Sequence, residues 1–164
     1  METDTNNMPR VGFARTLARQ LITKTGIQAP PVSLREIIEH LQNEYPWANL
    51  QVISFDFGEK ISGIFVLEDN LATIGYNQNE HWHRRRFTIA HEIGHMLLKH
   101  TCDRSDSEDG IKETEANSFA AELLMPLEMI KRDCSKKFKL DDLARRYTVS
   151  KQAICYRLMD AKII

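Results

Sequence analysis

Residues 87–100 read FTIAHEIGHMLLKH, and this stretch decides the fold because the rest of the chain has to hold it as a helix. It contains the pattern H-E-x-x-H, which places His91 and His95 one helical turn apart with Glu92 beside them. On a helix the two imidazoles lie about 40° apart around the axis, so both can face one ion. Glu92 is offset enough to reach water held by that ion. The pattern therefore predicts a catalytic zinc site with Glu92 as the general base.

The residues around this pattern support a helix. Small and apolar residues recur at spacings of three and four, as on the buried face of an amphipathic helix: Phe87, Ala90, Gly94, Leu97 and Leu98. The alternative is that His91 and His95 are core histidines with satisfied hydrogen bonds. A third ligand decides between these two interpretations, since a catalytic zinc site needs three protein ligands and an open position.

The overall composition limits the class of protein. A chain of 164 residues fits one domain with a substantial core. Its net charge of -1 gives no general attraction for nucleic acid or anionic lipid, so such binding would need a local patch. The sequence has no long apolar run and no leader pattern, which predicts a cytoplasmic protein that does not enter membranes. Three cysteines without a C-x-x-C pair fit free thiols in a reducing compartment.

Helical and extended patterns predict an α+β fold. A first helix is expected around Phe13, and a second begins at Ser33, where Glu36 completes an S-x-x-E capping box. Runs rich in Val, Ile and Phe then predict three strands, at residues 51–55, 63–67 and 72–76. We expect a small three-stranded antiparallel sheet that is covered by helices. The last strand is expected at the sheet edge near the metal, where an extended peptide could add main-chain hydrogen bonds.

A carboxylate on the next helix is the candidate third ligand. This helix is predicted from about residue 111 to 125, after an acidic loop at residues 100–110. Glu113 and Asn117 share a face with apolar positions further along, which makes Glu113 the inward carboxylate. Asn117 is then placed to orient a ligand histidine through the ring nitrogen that does not bind the metal.

The other polar residues near the site are given weaker roles. Glu115 and Glu122 fall on a more polar helix face and are interpreted as solvated. Glu108 and Asp109, on the predicted loop, are weaker ligand candidates. His100 would lie about 180° around an ideal helix from His91, which sets it aside.

An oxyanion-stabilising residue cannot be assigned by spacing. Tyr76, His81 and His83 precede the metal-binding helix closely, but residues of these types are more often structural or solvated.

Two motifs resemble the ImmA/IrrE metallopeptidases. The sequence RFTIAHEIGH at residues 86–95 is similar to that family's FT-x-AHE-x-GH, and ETEANSFAAELLMP at residues 113–126 to its E-x-x-AN-x-FA-x-x-LLMP. The resemblance covers the chain from about Pro30 onward. It implies a zincin-like fold and a site of the gluzincin type. The implied residues are His91, His95 and Glu113 as metal ligands, Glu92 as general base and Asn117 behind a ligand histidine.

The resemblance also implies a function. The family's members are cytoplasmic zinc proteases that cut a helix-turn-helix repressor and so release genes of mobile elements, prophages or stress responses. The implied cofactor is Zn²⁺, although two histidines and a carboxylate also suit Mn²⁺ or Fe²⁺. A non-cleaving anti-repressor that binds the same partner is an alternative. Glu92 argues against it, because a structural zinc site needs no free carboxylate beside an open position.

The C-terminal segment suggests a second alternative. We predict a zincin-like domain at residues 1–126 and a helical segment at residues 127–164, packed on the same domain. Residues 141–158 resemble a basic helix-turn-helix with Ser150 as the N-cap of its second helix, which would suit a DNA-binding regulator. Thr148 stands where such turns commonly have glycine. This departure favours packing or substrate docking over DNA binding.

Overall fold

The computed structural model describes residues 8–100 and 106–164, which form helices around a three-stranded sheet. The α-helices of this part of the chain are α1 Val11–Thr25, α2 Leu34–Glu44, α3 Trp82–Leu97, α4 Asp106–Leu124, α5 Leu127–Ser135, α6 Leu140–Tyr147 and α7 Lys151–Asp160, with a short 3-10 helix at Pro46–Ala48. The strands are β1 Gln51–Phe55, β2 Gly63–Glu68 and β3 Leu71–Asn77. The predicted α+β class is confirmed. Among the described helices, none is long and apolar enough to cross a membrane.

The sheet is mixed, so the prediction of a fully antiparallel sheet was wrong. Its strand order is β1-β3-β2. β2 and β3 pair antiparallel, whereas β1 runs parallel to β3, with Ile53 opposite Gly75. Alternating apolar residues identify a strand but do not specify its neighbour, which is why the sequence pattern missed this arrangement.

A buried asparagine holds the connection between β1 and β2 across the end of β3. The side-chain amide of Asn77 donates to the carbonyls of Gly58 at 2.7 Å and of Ile61 at 2.9 Å. This connection lets β1 pair with β3 and leaves β3 in the centre of the sheet. The strand at the edge beside α3 is therefore β2, and the expectation that the last strand lies at the edge was also wrong.

The core is centred on α4, which packs against both α1 and α3. On α1, the small residues Ala14 and Ala18 are fully buried and one turn apart. Phe13, where the first helix was expected, is 49% exposed, and the Arg10 guanidinium lies 5.4 Å from its ring centre. Small side chains at the contact allow the two helix axes to lie close together.

Two predictions about helix starts have different outcomes. The Ser33 cap is confirmed, because its hydroxyl accepts from the Glu36 N–H at 3.3 Å. The acidic loop predicted at residues 100–110 is partly wrong, since α4 already begins at Asp106, and residues 101–105 lie outside the described residues. An acidic sequence is typical of loops, but it also suits the positive end of the helix dipole.

A buried ion pair joins the C-terminal segment to α4. Glu122, predicted to be solvated, is 1% exposed. It accepts hydrogen bonds from Arg157 of α7, from Arg19 of α1 at 3.0 Å and from the Leu127 N–H at 3.1 Å. The solvated interpretation was wrong because α1 and α7 both cover this face of α4, which helical spacing alone does not reveal.

Helices α6 and α7 have the predicted helix-turn-helix pattern. Ser150 caps α7 by accepting from the Ala153 N–H at 3.0 Å. Thr148, in the position that commonly holds glycine, adopts the left-handed conformation with φ 59°. The turn therefore forms without glycine, and threonine at position 148 is compatible with a helix-turn-helix.

Candidate metal centre

A glycine allows the two site-bearing helices, α3 and α4, to approach closely. A Cβ atom at Gly94 would lie 3.0 Å from Cδ1 of Phe119 and 3.3 Å from Cα of Ala116. A larger residue would push α4 away from the turn of α3 that carries His95. Gly94 thus sets the separation at which side chains from the two helices can share one ion.

Three donor atoms meet between these helices. The Nε2 atoms of His91 and His95 lie 2.9 Å apart, and each lies 3.1 Å from a different carboxylate oxygen of Glu113. All three ligand atoms fall within 4.8 Å of one another. Hydrogen bonds with the two imidazoles hold the pKa of Glu113 well below its usual value, so it is a carboxylate at neutral pH. This donor set fits zinc, and the 55% exposure of Glu113 keeps the cluster open to solvent.

Asn117 lies behind His91, one turn after Glu113. Its Oδ1 is 2.9 Å from Nδ1 of His91. Because an amide oxygen only accepts, Nδ1 of His91 carries a proton, so that Nε2 of the neutral ring is the nitrogen that can bind an ion. The structure therefore brings together His91, His95, Glu113 and Asn117, as the sequence proposed.

Glu92 is buried beside the cluster, beneath strand β2. It is 7% exposed, and a Cβ atom at Gly63 of β2 would lie 3.0 Å from its Oε1 and 2.3 Å from Cγ2 of Thr88. Gly63 thus lets the edge strand pass directly over this carboxylate. Burial raises the pKa of Glu92, and the charge of Glu113 adds to this, while His91 and His95 oppose it. A carboxylate with a raised pKa is a better proton acceptor.

His95 has a buried partner that the sequence interpretation set aside. Its Nδ1 lies 2.8 Å from Nδ1 of His100. α3 ends at Leu97, Lys99 turns with φ 56°, and the His100 N–H bonds back to the His95 carbonyl at 3.0 Å. The ideal-helix argument failed because His100 lies beyond the helix end. A glycine at the turn would have signalled that end, but the position holds lysine.

Glu115 completes a second layer behind His95, and its interpretation as solvated was wrong. Only 2% of Glu115 is exposed. One of its oxygens lies 2.9 Å from Nε2 of His100, and Arg10 donates to both oxygens through its backbone and side chain. Burial acts to raise the pKa of Glu115, but the hydrogen bonds from Arg10 and His100 outweigh burial and lower that pKa to about 2. Arg10 is 105 residues away in sequence, so no local pattern indicates the contact.

The remaining candidates lie elsewhere. Asp109 is exposed and outside the cluster, and the Glu108 side chain is not among the described parts. Tyr76 is opposite Gly63 in the sheet. His81 accepts from the His83 N–H at 3.3 Å. His81 and His83 both line a cleft of about 790 Å³ between α3, α4 and α7.

Comparisons with known proteins identify the family. The family model of the IrrE N-terminal-like domain matches residues 48–159. Uncharacterized immunity region protein 2 of Bacillus phage phi105 is 29% identical over 60% of this chain and 66% of its own length. The radiation response metalloproteases IrrE of Deinococcus radiodurans and Deinococcus deserti are 33% and 38% identical, over 60% and 47% of this chain. The matches span only 33% and 32% of those two proteins.

A solved structure shares the fold. A Mycobacterium tuberculosis transcriptional regulator superposes with a TM-score of 0.68 at 19% identity, covering 94% of this chain and 48% of its own. The family match covers most of the chain and includes both site-bearing helices. The resemblance seen in the sequence is therefore confirmed, and the chain belongs to the family of IrrE N-terminal-like domains.

Proposed function

We propose that this protein is a zinc-dependent, site-specific endopeptidase that cleaves a helix-turn-helix transcriptional repressor in the cytoplasm. The observation that carries the proposal is the cluster of His91, His95 and Glu113 with the buried carboxylate of Glu92 next to it. A metal site with a purely structural role is closed by four protein ligands and has no use for such a base. Three ligands and a neighbouring base are the arrangement of a hydrolytic site.

The residues divide the chemistry between them. A zinc ion held by His91, His95 and Glu113 would supply Lewis-acid chemistry, polarising a peptide carbonyl and acidifying a water molecule. Glu92 takes the proton of that water as the oxygen attacks the carbonyl carbon. It then gives the proton to the amine nitrogen as the C–N bond breaks. Asn117 keeps the His91 ring oriented throughout.

The edge strand β2 offers a place for the substrate. β2 is bonded to β3 on one side, and Gly63 at its start lies over Glu92. An extended peptide that pairs with the other side of β2 would bring its carbonyl groups past the cluster. The scissile segment of the repressor is therefore expected to be extended and unfolded around the cleaved bond.

A regulatory protein is the substrate class that the relatives favour. One relative is named for a phage immunity region and two for a radiation response, and both are settings in which gene control changes. Cutting a repressor is a direct way for a peptidase to produce such a change. We propose the same type of substrate for this chain, with derepression of the repressor's target genes as the result.

DNA binding by residues 141–158 has less support. Arg157 is 3% exposed and is used in the ion pair with Glu122, and Lys151 pairs with Asp141 at 2.5 Å. Gln152 and Tyr156 of α7 are exposed and line the cleft toward α3. We therefore propose that residues 127–164 pack on the peptidase domain of residues 1–126 and form one wall of this cleft. A salt-dependent shift of duplex DNA by the purified protein would favour the other function.

Removal of the metal tests the proposal. The purified protein is incubated with the helix-turn-helix repressor encoded beside its gene, with and without a chelator. We expect two discrete repressor fragments, loss of cleavage with the chelator, and recovery when Zn²⁺ is added in excess. Mn²⁺ and Fe²⁺ are added in parallel to identify the most effective ion. A repressor that stays intact with every metal would refute the proposal.

Gly63→Ala is expected to reduce cleavage without reducing bound zinc. The new Cβ would overlap Cγ2 of Thr88 and crowd Oε1 of Glu92, so the base is displaced while the ligands are not. A displacement on the order of 1 Å at a reacting group lowers the rate by about 100-fold. The measurements are the cleavage rate and the zinc content. Gly12→Ala is the matched control, since a Cβ there meets nothing within 4 Å. Wild-type cleavage by Gly63→Ala would contradict the role of this glycine.

A further inference from the structure

We propose that Arg10, Glu115 and His100 form a hydrogen-bonded chain that positions His95 to bind metal through Nε2. The family match begins at residue 48, so Arg10 lies outside it and joins the N-terminal segment to the metal centre. The inference rests on the metal site of the proposed function. It adds that Arg10, at the start of α1, influences the affinity of that site for its metal ion.

The protons along this chain can be placed in only one way that leaves His95 able to bind metal. The Glu115 carboxylate accepts, so Nε2 of His100, at 2.9 Å, carries a proton and donates it. Nδ1 of the neutral His100 ring then has no proton and accepts from Nδ1–H of His95 at 2.8 Å. Nε2 of His95 keeps its lone pair and points toward the cluster. The opposite order would leave a proton on Nε2 of His95, where it would block the ion.

Burial makes the chain rigid. The side chains of His100 and Glu115 are 5% and 3% exposed, so water cannot easily replace either partner. Arg10 donates to one Glu115 oxygen through its backbone N–H at 2.7 Å and Nε at 2.9 Å, and to the other through Nη2 at 2.9 Å. These three bonds fix the orientation of the Glu115 carboxylate. The carboxylate in turn orients the His100 ring, and the His100 ring orients the His95 ring. Partners of this kind behind a ligand typically change metal affinity by about 10- to 100-fold.

The two ligand histidines are thus supported differently. His91 is held by the amide of Asn117 from the same helix that carries Glu113. His95 is held by a residue beyond the end of α3, a residue of α4 and a residue before α1. A purely structural chain would stabilise the contact between α1 and α4 without affecting the ion. Zinc affinity therefore separates a positioning role from a structural one.

His100→Phe is the principal test, made on the full-length chain. Phenylalanine fills the space but cannot accept from Nδ1–H of His95, so we expect zinc affinity to fall by about 10- to 100-fold. Affinity is measured by competition with a chromophoric zinc chelator, and the thermal midpoint of the metal-free protein is recorded alongside. His100→Gln keeps a hydrogen-bond acceptor, so its zinc affinity should fall less than that of His100→Phe. The matched control is His40→Phe, a histidine paired with Glu44 on α2, which should bind zinc like the wild type.

A double variant tests whether Arg10 acts through His100. Arg10→Met should weaken zinc binding by about fivefold, less than His100→Phe, because water can partly replace the half-exposed guanidinium. In the His100→Phe background the same change should alter zinc affinity by less than about twofold, since the link is already broken. Equal effects in both backgrounds would overturn the idea of a connected chain.

The outcomes distinguish this inference from the proposed function. If the wild-type protein binds zinc and His100→Phe binds it equally well, the positioning role is overturned and the proposed function stands. If His100→Phe has a lower thermal midpoint but unchanged zinc affinity, the positioning role is likewise overturned. If His100→Phe does not fold, an unchanged zinc affinity of Arg10→Met is decisive against it. A wild-type protein that binds no zinc would refute the proposed function and this inference together.

Discussion

Glu92→Gln is expected to lower the rate of repressor cleavage by about 1,000-fold while leaving the zinc content unchanged. Glutamine has nearly the same size as glutamate but cannot take a proton from water, and general base catalysis contributes a factor of this order. Glu92 is not one of the three clustered donors, so the metal should remain. The buried position beneath β2 also accepts a neutral amide more easily than a charge.

The test of this prediction compares three carboxylates. Cleavage of the repressor and zinc per protein molecule are measured for Glu92→Gln, Glu113→Gln and Asp109→Asn. Glu113→Gln should lose both zinc and cleavage, because it removes a charged ligand. Asp109→Asn should keep both, since Asp109 is exposed one turn before Glu113 and outside the cluster. A Glu92→Gln protein that cuts at the normal rate would show that another group is the base.

The geometry of the candidate metal site could be predicted because its residues are local to two helices. His91, Glu92 and His95 lie within two turns of α3, and helical periodicity alone fixes their directions. The same argument placed Glu113 and Asn117 on one face of α4. The prediction then needed only one tertiary contact, between this face of α4 and α3. The apolar residues on the same face already indicate that it is buried.

The support behind His95 could not be predicted, because each of its contacts depends on a distant or irregular part of the chain. His100 reaches His95 only because Lys99 adopts a left-handed turn that lysine rarely takes. Glu115 is buried only because Arg10 covers it from a segment 105 residues away. Charged residues on a polar helix face are usually solvated, and here the packing of the N-terminal segment against α4 reverses that expectation for Glu115.

The sheet order was missed for a related reason. Short strands at close spacing usually pair with their neighbours in sequence, and β2 and β3 do so. β1 does not, because the bonds from Asn77 to Gly58 and Ile61 carry the chain over the end of β3. One buried amide thus decides which strand borders the site. As a result, within the described residues β2 rather than β3 is the edge strand beside α3.

The buried ion pair between α4 and α7 gives the second large effect. Arg157→Leu is expected to reduce the free energy of unfolding by about 3 kcal/mol, because removing one partner leaves the Glu122 carboxylate buried with reduced compensation. The variant also loses the bond from Nε of Arg157 to the Met125 carbonyl, at 2.9 Å. The remaining bond from Arg19 keeps the loss near the lower end of the usual range. Stability is measured by urea unfolding at pH 7.

Control variants separate the ion pair from the loss of an arginine in general. Arg145→Met removes an arginine that is 76% exposed on α6 and pairs with Asp142, so its effect should stay within about 0.5 kcal/mol. The double variant Arg157→Leu with Glu122→Leu should recover part of the lost stability, because no unpaired charge remains. If Arg157→Leu unfolds like the wild type, the pair contributes little and α7 is held by other contacts.

The pH dependence of this variant provides an independent check. Burial acts to raise the pKa of Glu122, but the hydrogen bond from Arg19 and the charge of Arg157 outweigh burial and leave that pKa below its usual value. In the wild type, ionised Glu122 therefore stabilises the fold above the unfolded-state pKa, and this contribution is lost as the pH falls through the folded-state pKa. Without Arg157 the pKa of Glu122 should rise, so that protonation in mild acid relieves the unpaired charge. The stability difference between Arg157→Leu and the wild type should accordingly shrink from pH 7 toward acid pH, and a difference that grows instead would contradict the assignment of the loss to Glu122.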